Sequence, residues 1–236
     1  MKAIGRFIGL ALLASISLGF SEIDLERGRG SVSLHASHGQ YAHITRGCDG
    51  SVTKEDIPFT EYGLNVDWTN QSRFALKFST EIVEFKDVHS DDPFAEDTKA
   101  MVFIPQIGVD GEVVGCRFGV FKSTKSLPEI DTNKVLPAFH FRLGKREKFH
   151  FDISWLDDAP VISRGYLTIG FGTGPNEKGS FWMGISGGPF DKLGILLQAG
   201  IPISSRISLD VGARIGSSEG VGEHALNAGM GYHFGG

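Results

Sequence analysis

The sequence predicts an all-β protein: an antiparallel up-and-down transmembrane β-barrel of about 12 strands, or as few as about 10, behind a cleavable signal peptide. Three observations predict this fold class. The chain begins with a short basic and apolar segment, its middle alternates apolar and polar residues in successive runs, and long and short connections alternate between those runs. We therefore divide the chain into a signal peptide, residues 1–20, and a single β-barrel domain, residues 21–236.

The first 20 residues have the pattern of a secretory signal peptide. Lys2 and Arg6 supply the positive start, and "FIGLALLASISLGF" follows as an uninterrupted apolar segment. At about 14 residues this segment is too short to cross a bilayer comfortably, because a transmembrane helix needs about 20. We expect cleavage between Gly19 and Ser21, and therefore export of the mature chain.

Composition favours β structure and argues against nucleic acid as a partner. The chain holds 32 glycines and 18 phenylalanines. Glycine is costly inside helices and phenylalanine suits a pleated surface, so this combination favours strands. Loss of Lys2 and Arg6 with the signal peptide takes the formal net charge from −5 to −7. Nucleic-acid binding needs a basic face, so we expect none.

Alternating runs bounded by turn residues follow one another along the mature chain. "EYGLNVDW", "RFALKF", "RGYLTIGFG", "SFWMGIS" and "RISLDVGARI" each place apolar residues at every second position. The runs "AMVFIPQIGV" and "EVVGCRFGVF" are joined by Asp110-Gly111, a dipeptide favoured in two-residue hairpins. Such runs predict antiparallel strands in consecutive hairpins.

The clearest hairpin joins "VLPAFHFRL" to "FHFDISW". One face carries apolar residues only: Val135, Phe139, Phe141, Leu143, Phe149, Phe151, Ile153 and Trp155. The opposite face carries His140, Arg142, His150 and Asp152. In a membrane barrel the apolar face meets lipid and the polar face lines the interior.

Connection lengths alternate in the first two thirds of the chain. The odd connections "GCDGSVTKEDIPF", "DVHSDDPFAEDTK" and "KSTKSLPEIDTN" are each about a dozen residues long, and the even ones are "NQS", "DG" and "GKREK". Later connections, among them "DDAP", are all short. Long extracellular loops and tight periplasmic turns are typical of outer-membrane barrels.

The chain ends in "LNAGMGYHFGG", in which apolar residues again alternate up to an aromatic. This ending resembles the C-terminal signal of bacterial outer-membrane β-barrel proteins, which the barrel-assembly machinery recognises. The matching residues, taken as an assembly signal, are Leu226, Ala228, Met230, Tyr232 and Phe234. The ending departs from the family pattern because Gly235 and Gly236 follow the aromatic. The resemblance implies an outer-membrane location, with outer-membrane lipid and the assembly machinery as partners.

Candidate chemistry centres on charged residues expected to face the interior. We group eight of them as a lumen charge cluster: His140, Arg142, His150, Asp152, Arg117, Arg164, Asp210 and Arg214. Two histidines and a carboxylate could hold a metal or act as an acid–base pair. We favour an inward-facing ion network, because buried charges need partners. Further inward charges are expected at Asp67, Arg73, Lys77, Glu81 and Arg206, with a lean toward Arg that would favour anions in a pore.

A second candidate is the stretch "SLHASHGQYAH", with Ser33, Ser37, His35, His38 and His43. Serine and histidine on a barrel wall could form a lipid hydrolase. However, no third orienting group is marked by spacing, and G-x-S-x-G is absent. We assign no catalytic residue.

Two minor features complete the candidates. Asp91, Asp92, Glu96 and Asp97 cluster in one predicted loop but lack calcium-loop spacing, so we assign no metal site. Cys48 and Cys116 are expected to be free thiols, with a disulfide as the alternative that export permits.

The sequence thus predicts an outer-membrane barrel with a structural or passive pore and transport role. We expect no cofactor, and the small solute is not identified. The alternatives are a lipid-modifying hydrolase on a barrel scaffold and a soluble exported β-sandwich that binds a ligand. The barrel and the sandwich differ in which face of the strands lies inside: the polar face in the barrel and the apolar face in the sandwich.

Overall fold

The structure is a computed structural model that describes residues 28–46, 48–85, 99–125, 127, 134–176, 179–187, 193–218 and 221–235. The predicted signal peptide and the acidic loop with Asp91 and Asp92 lie outside these residues. Within the described ranges, no helix is long and apolar enough to cross a membrane.

Twelve antiparallel strands in the described part of the chain form one closed barrel. They are β1 (Gly28–Arg46), β2 (Val52–Asn70), β3 (Phe74–Phe85), β4 (Lys99–Asp110), β5 (Val114–Ser123), β6 (Leu136–Gly144), β7 (His150–Trp155), β8 (Leu167–Asn176), β9 (Gly179–Gly187), β10 (Leu193–Pro202), β11 (Ile207–Ser218) and β12 (Val221–Phe234). Each strand pairs with its chain neighbours, and β12 closes the sheet on β1. The predicted class and strand number are confirmed.

Alternation places the apolar series on the outer face of the barrel. Ile195 on β10 and Ile215 on β11 are register partners, with 60% and 69% of their surface exposed. Their chain neighbours Leu196 and Arg214 point inward and are buried. A sandwich would bury such residues between two sheets. The closed barrel with an apolar outside therefore makes the sandwich alternative wrong.

The first connection is much shorter than the sequence pattern predicted. β2 already begins at Val52, so "VTKEDIPF" belongs to a long hairpin with β1 and not to a loop. The reversal is completed within a few residues, because the Asp49 side chain accepts a hydrogen bond from the Ser51 N–H at 2.9 Å. Gly50 supports the turn with a φ of 83°.

The β7–β8 connection is the largest departure from the predicted pattern. After Trp155 the chain leaves the wall through Leu156, whose φ is 48°. Residues 156–166, here called the lumen segment, then fold into the interior and include the short helix α1 (Val161–Arg164). "DDAP" is therefore not a simple hairpin turn, and Arg164 lies on α1 and not on the wall.

The interior is apolar at the end where the odd connections lie. A buried cluster joins the inner faces of β2 to β6 to the lumen segment. Apart from three alanines, its members are Ile57, Phe59, Val83, Phe85, Val102, Ile104, Phe121, Leu127, Leu156, Val161, Ile162 and Tyr166. The expectation of a polar interior is wrong in this half of the barrel. The reason is local: near this end the inward series of β3 ends in the apolar residues Val83 and Phe85.

Candidate functional site

A polar chamber occupies the other half of the barrel. It has a volume of about 300 Å³ and lies between the lumen segment and the end that carries the short turns. Arg117, His140 and Asp152 line its wall, and Asp157 and Asp158 form part of its inner boundary. The lumen segment therefore lies between this polar chamber and the buried apolar cluster at the other end of the barrel.

Two buried glutamates of the wall hold the start of α1. The carboxyl group of Glu61 accepts hydrogen bonds from the backbone N–H groups of Ile162 and Ser163, at 2.7 and 3.0 Å. Glu81 accepts one from the Val161 N–H at 2.8 Å. These three N–H groups have no partner inside a helix this short, so the glutamates supply the acceptors that water would otherwise provide.

Two further wall residues bind the lumen segment without charge. Asn65 donates from its side chain to the Ala159 carbonyl at 2.8 Å and accepts from the Ala159 N–H at 3.3 Å. The Ser163 hydroxyl donates to the Ser37 hydroxyl at 3.1 Å. The segment is thus tied to β1, β2 and β3 by side-chain hydrogen bonds and not by strand pairing.

Ion pairs hold the acidic start of the lumen segment. The Lys77 ammonium lies 3.1 Å from Asp157 and 3.0 Å from Asp158, and the Lys77 side chain is only 2% exposed. Arg164 pairs with Asp158 and also donates to the Gln198 side chain at 3.1 Å. Lys77 is thus inward-facing, as predicted, and it neutralises the segment instead of lining an open pore.

Half of the predicted lumen charge cluster comes together as a chain of hydrogen bonds. Arg117 contacts Asp67 at 2.7 Å and His140 Nδ1 at 2.8 Å. Arginine can only donate, so His140 Nδ1 accepts and its Nε2 carries the proton that it donates to Asp152, at 2.9 Å. His150 Nε2 lies 3.1 Å from the other oxygen of Asp152.

This arrangement leaves His140 without a free nitrogen for a metal or for proton transfer to a substrate. In the described residues no group of three or more His, Cys, Asp and Glu side chains is placed to hold a metal ion. The geometry therefore fits an ion network that satisfies buried charges.

The other members of the predicted cluster lie apart. Arg142 pairs with Asp110 at 2.8 Å beside the short turns. Arg214 contacts Ser186 at 2.8 Å and Glu223 at 3.3 Å. Asp210 is on β11, across the chamber from Arg117 of β5, and it has no salt-bridge partner among the described side chains. The single predicted cluster is therefore several separate groups.

Two predicted inward charges lie outside the interior. Arg73 and Arg206 are exposed in the β2–β3 and β10–β11 turns. Other charged groups at the short-turn end are paired with each other: Lys145 donates a hydrogen bond to Glu112 and thereby lowers the pKa of the Glu112 carboxyl group. Arg73 and Arg206 therefore lie in turns at the short-turn end of the barrel and cannot act as pore-lining charges deeper in it.

The Ser/His stretch does not assemble into one site. Ser33 and His35 face inward, with Ser33 Oγ 2.8 Å from His35 Nε2. His38 points outward and contacts Thr60 at 3.2 Å. Ser37 is buried against Ser163 of the lumen segment. The side chain of His43 lies outside the described residues. The described serines and histidines are thus divided between the two faces of β1.

Sequence reasoning missed Trp182, an aromatic residue inside the chamber. It lies on β9 between Phe181 and Met183, which point outward, and it lines the chamber beside Gln198. The pattern held a signal, since Trp182 occupies the polar-face position of its strand. The position of its ring depends on glycines of the neighbouring strand β8. Assigning each residue to the inner or the outer face does not reveal this dependence.

The residues of the predicted assembly signal lie together on β12. Leu226, Ala228, Met230 and Tyr232 are exposed on the outer face, and Phe234 is half-buried at the end of the strand. Gly235 follows with a φ of 76°, and a Cβ there would lie 1.7 Å from the Gly28 carbonyl oxygen. The first trailing glycine is thus required by a close approach to β1.

Both described cysteines are free. Cys48 is exposed in the β1–β2 turn, and Cys116 lies on β5 near the short turns. The free-thiol expectation is confirmed.

No family model matches this chain, and no curated protein matches it. Among solved structures, the COG4313 outer membrane channel from Pseudomonas putida F1 is 10% identical with a TM-score of 0.54, over 91% of this chain and 99% of that one. The translocator domain of the autotransporter NalP from Neisseria meningitidis is 10% identical with a TM-score of 0.42, over 98% and 96%. At such low sequence identity the likeness concerns the fold alone, and it rests on the Pseudomonas putida channel. The chain has the fold of an outer-membrane β-barrel.

Proposed function

We propose that the chain is an outer-membrane barrel that passes a small polar solute by passive transport, with the lumen segment as its closing element. One observation carries the proposal: a polar chamber leads from the short-turn end to a segment that closes the barrel without belonging to its wall. The amino-terminal pattern of a signal peptide supports export, and the apolar outer face supports insertion into lipid.

The contacts of the lumen segment suit a closing element. Glu61, Glu81 and Asn65 bind it through hydrogen bonds, and Lys77 binds it through ion pairs. Water can replace such contacts one by one, so the segment can leave the wall without breaking a strand ladder. The apolar contacts of Val161 and Ile162 favour the closed position.

The fold supports a direction for the chamber. Both ends of the described chain and the short turns lie at one end of the barrel, and in outer-membrane barrels that end faces the periplasm. The chamber then opens toward the periplasm, and the lumen segment blocks the path to the outside.

A reversible crosslink tests this proposal. Ser37→Cys with Ser163→Cys joins positions whose hydroxyl oxygens are 3.1 Å apart, in a background with Cys48→Ser and Cys116→Ser. The measurement is single-channel conductance in planar bilayers. We expect rare openings in the reduced protein, none after oxidation, and recovery on addition of a reductant.

A second variant removes the closing element. Replacement of residues 157–164 by a Gly/Ser linker of equal length should give a lasting conductance well above that of the starting protein. The cysteine-free background serves as the control for oxidation. Equal conductance in the oxidised, reduced and linker forms would overturn passive transport and leave a structural role.

A further inference from the structure

Trp182 lies flat against the inner wall of the barrel. A Cβ on Gly170, Gly172 or Gly184 would come within 2.6, 2.9 and 2.7 Å of atoms of the Trp182 indole. Gly170 and Gly184 are register partners on β8 and β9, and Gly172 is the register partner of Trp182 itself. Three glycines therefore make the space in which one face of the indole rests.

The indole is fixed in this position from its edge. Its Nε1 donates to Asp152 at 3.3 Å, and Asp152 is itself bound by His140 and His150. The ring consequently has one face on the glycine wall, one edge tied to Asp152, and its other face toward the interior. Trp182 lines both the chamber and an adjoining cavity of about 150 Å³.

Hydrogen-bonding groups line the cavities that Trp182 borders. Ser180, Gln198 and Asp210 line the same two cavities as Trp182. They offer a hydroxyl, an amide and a carboxylate, which together can donate to and accept from several hydroxyl groups of one ligand. Small-molecule sites combine such a flat apolar surface with a few convergent polar groups.

The charges beside this site disfavour an anionic ligand. Arg164 is already paired with Asp158, and Arg117 is paired with Asp67. These two arginines are thus neutralised by the protein, and the other lining arginines, Arg142 and Arg146, share Asp110 at the short-turn end, away from the indole. Asp210 has no salt-bridge partner among the described side chains, and its carboxylate adds acceptor capacity for hydroxyl groups.

We propose that Trp182, with Gln198 and Asp210, forms a binding site for a neutral carbohydrate ring. The C–H face of a pyranose would stack on the open indole face, and its hydroxyl groups would bond Gln198 and Asp210. This inference rests on the proposed transport function, of which it names the solute class.

Equilibrium binding tests the site independently of conductance. Calorimetry of the folded protein in detergent uses maltotriose and glucose as probes, with benzoate as an aromatic anion. We expect saturable binding of maltotriose and none of benzoate. Trp182→Leu should weaken maltotriose binding about tenfold or more, and Trp182→Phe less, because a smaller aromatic face remains.

Controls separate loss of the site from loss of the fold. Trp68→Leu changes a tryptophan of the outward series of β2 and should leave binding unchanged. Asp210→Asn provides a second site variant that keeps the volume of the side chain and should also weaken binding. Heat-modifiable migration on gels reports that each variant is folded.

The outcomes are distinct for the two proposals. Absence of saturable binding for both sugars, tighter binding of benzoate, or equal affinity of the Trp182→Leu variant would each overturn the carbohydrate site. Trp182-dependent binding of maltotriose in a protein that never conducts would support the site and overturn transport.

Discussion

Glu61 of the wall and Ser163 of the lumen segment are joined by a hydrogen bond of 3.0 Å between two buried groups that lie 102 positions apart in the chain. The same carboxyl group also binds the Ile162 N–H. One side chain thus supplies acceptors for two backbone donors that α1 is too short to satisfy. The closed position of the segment depends on this wall residue more than on its own helix.

Glu61→Ala should release the lumen segment. The substitution leaves two buried N–H groups without an acceptor, at a cost of about 1–3 kcal/mol for each unsatisfied group. Because about 1.4 kcal/mol is a factor of ten in an equilibrium, we expect openings to become at least about tenfold more frequent in planar bilayers. The matched control is Glu84→Ala, which removes a glutamate paired with Lys99 at the surface. An unchanged opening frequency in Glu61→Ala would refute the role of this contact.

Lys77→Met should destabilise the whole barrel. Lys77 is the cation between Asp157 and Asp158, and removal of one partner from a buried ion pair costs about 3–5 kcal/mol. The measurement is the denaturant midpoint of the heat-modifiable gel band. Adding Asp157→Asn removes one of the stranded charges and should restore part of the loss. Additive losses in the double variant would argue against direct coupling of the two residues.

The outer face could be predicted from the sequence because a period of two fixes it locally. Ile195, Ile215 and Leu226 each alternate with inward residues within their own strands, so no distant information is required. The strand number followed from the same pattern, interrupted by turn residues such as Asp110-Gly111. These are properties of neighbouring residues.

The lumen segment could not be predicted because its partners are distant in sequence. "DDAPVISR" has no periodicity, and Asp157 and Ile162 acquire their positions from Lys77 and Glu61 on other strands. Trp182 was missed for a related reason. Its flat position depends on glycines of β8, so a strand-by-strand assignment places it inside without showing what it does there.

Leu197→Arg tests whether the outer face meets lipid. Leu197 lies near the middle of β10 with 43% of its surface exposed. Arginine at the bilayer midplane costs a transmembrane barrel about 2–4 kcal/mol. We expect a clear loss of folded protein in bilayer vesicles, measured by the gel shift. Ile203→Arg is the control, because Ile203 is exposed in the β10–β11 turn and should tolerate the charge. Equal folding of both variants would contradict a lipid-facing β10.

Phe234→Ala should impair assembly of the barrel in cells. Phe234 ends the outward series of β12, and atoms of its ring lie 2.6 and 2.7 Å from where a Cβ on Gly30 would stand. The ring therefore covers the seam at which β12 closes on β1. We expect less heat-modifiable protein in the outer-membrane fraction and more degraded protein in the periplasm.

His233→Ala is the matched control for this variant, because His233 belongs to the inward series of the same strand and contacts Ser208. Gly235→Ala should reduce assembly as well, since its Cβ would collide with the Gly28 carbonyl oxygen and its φ is positive. Together the three variants distinguish recognition of the aromatic from closure of the seam. Loss in both Phe234→Ala and Gly235→Ala indicates closure, whereas loss in Phe234→Ala alone indicates recognition by the assembly machinery. Normal assembly of Phe234→Ala would remove the basis for assigning an assembly signal to β12.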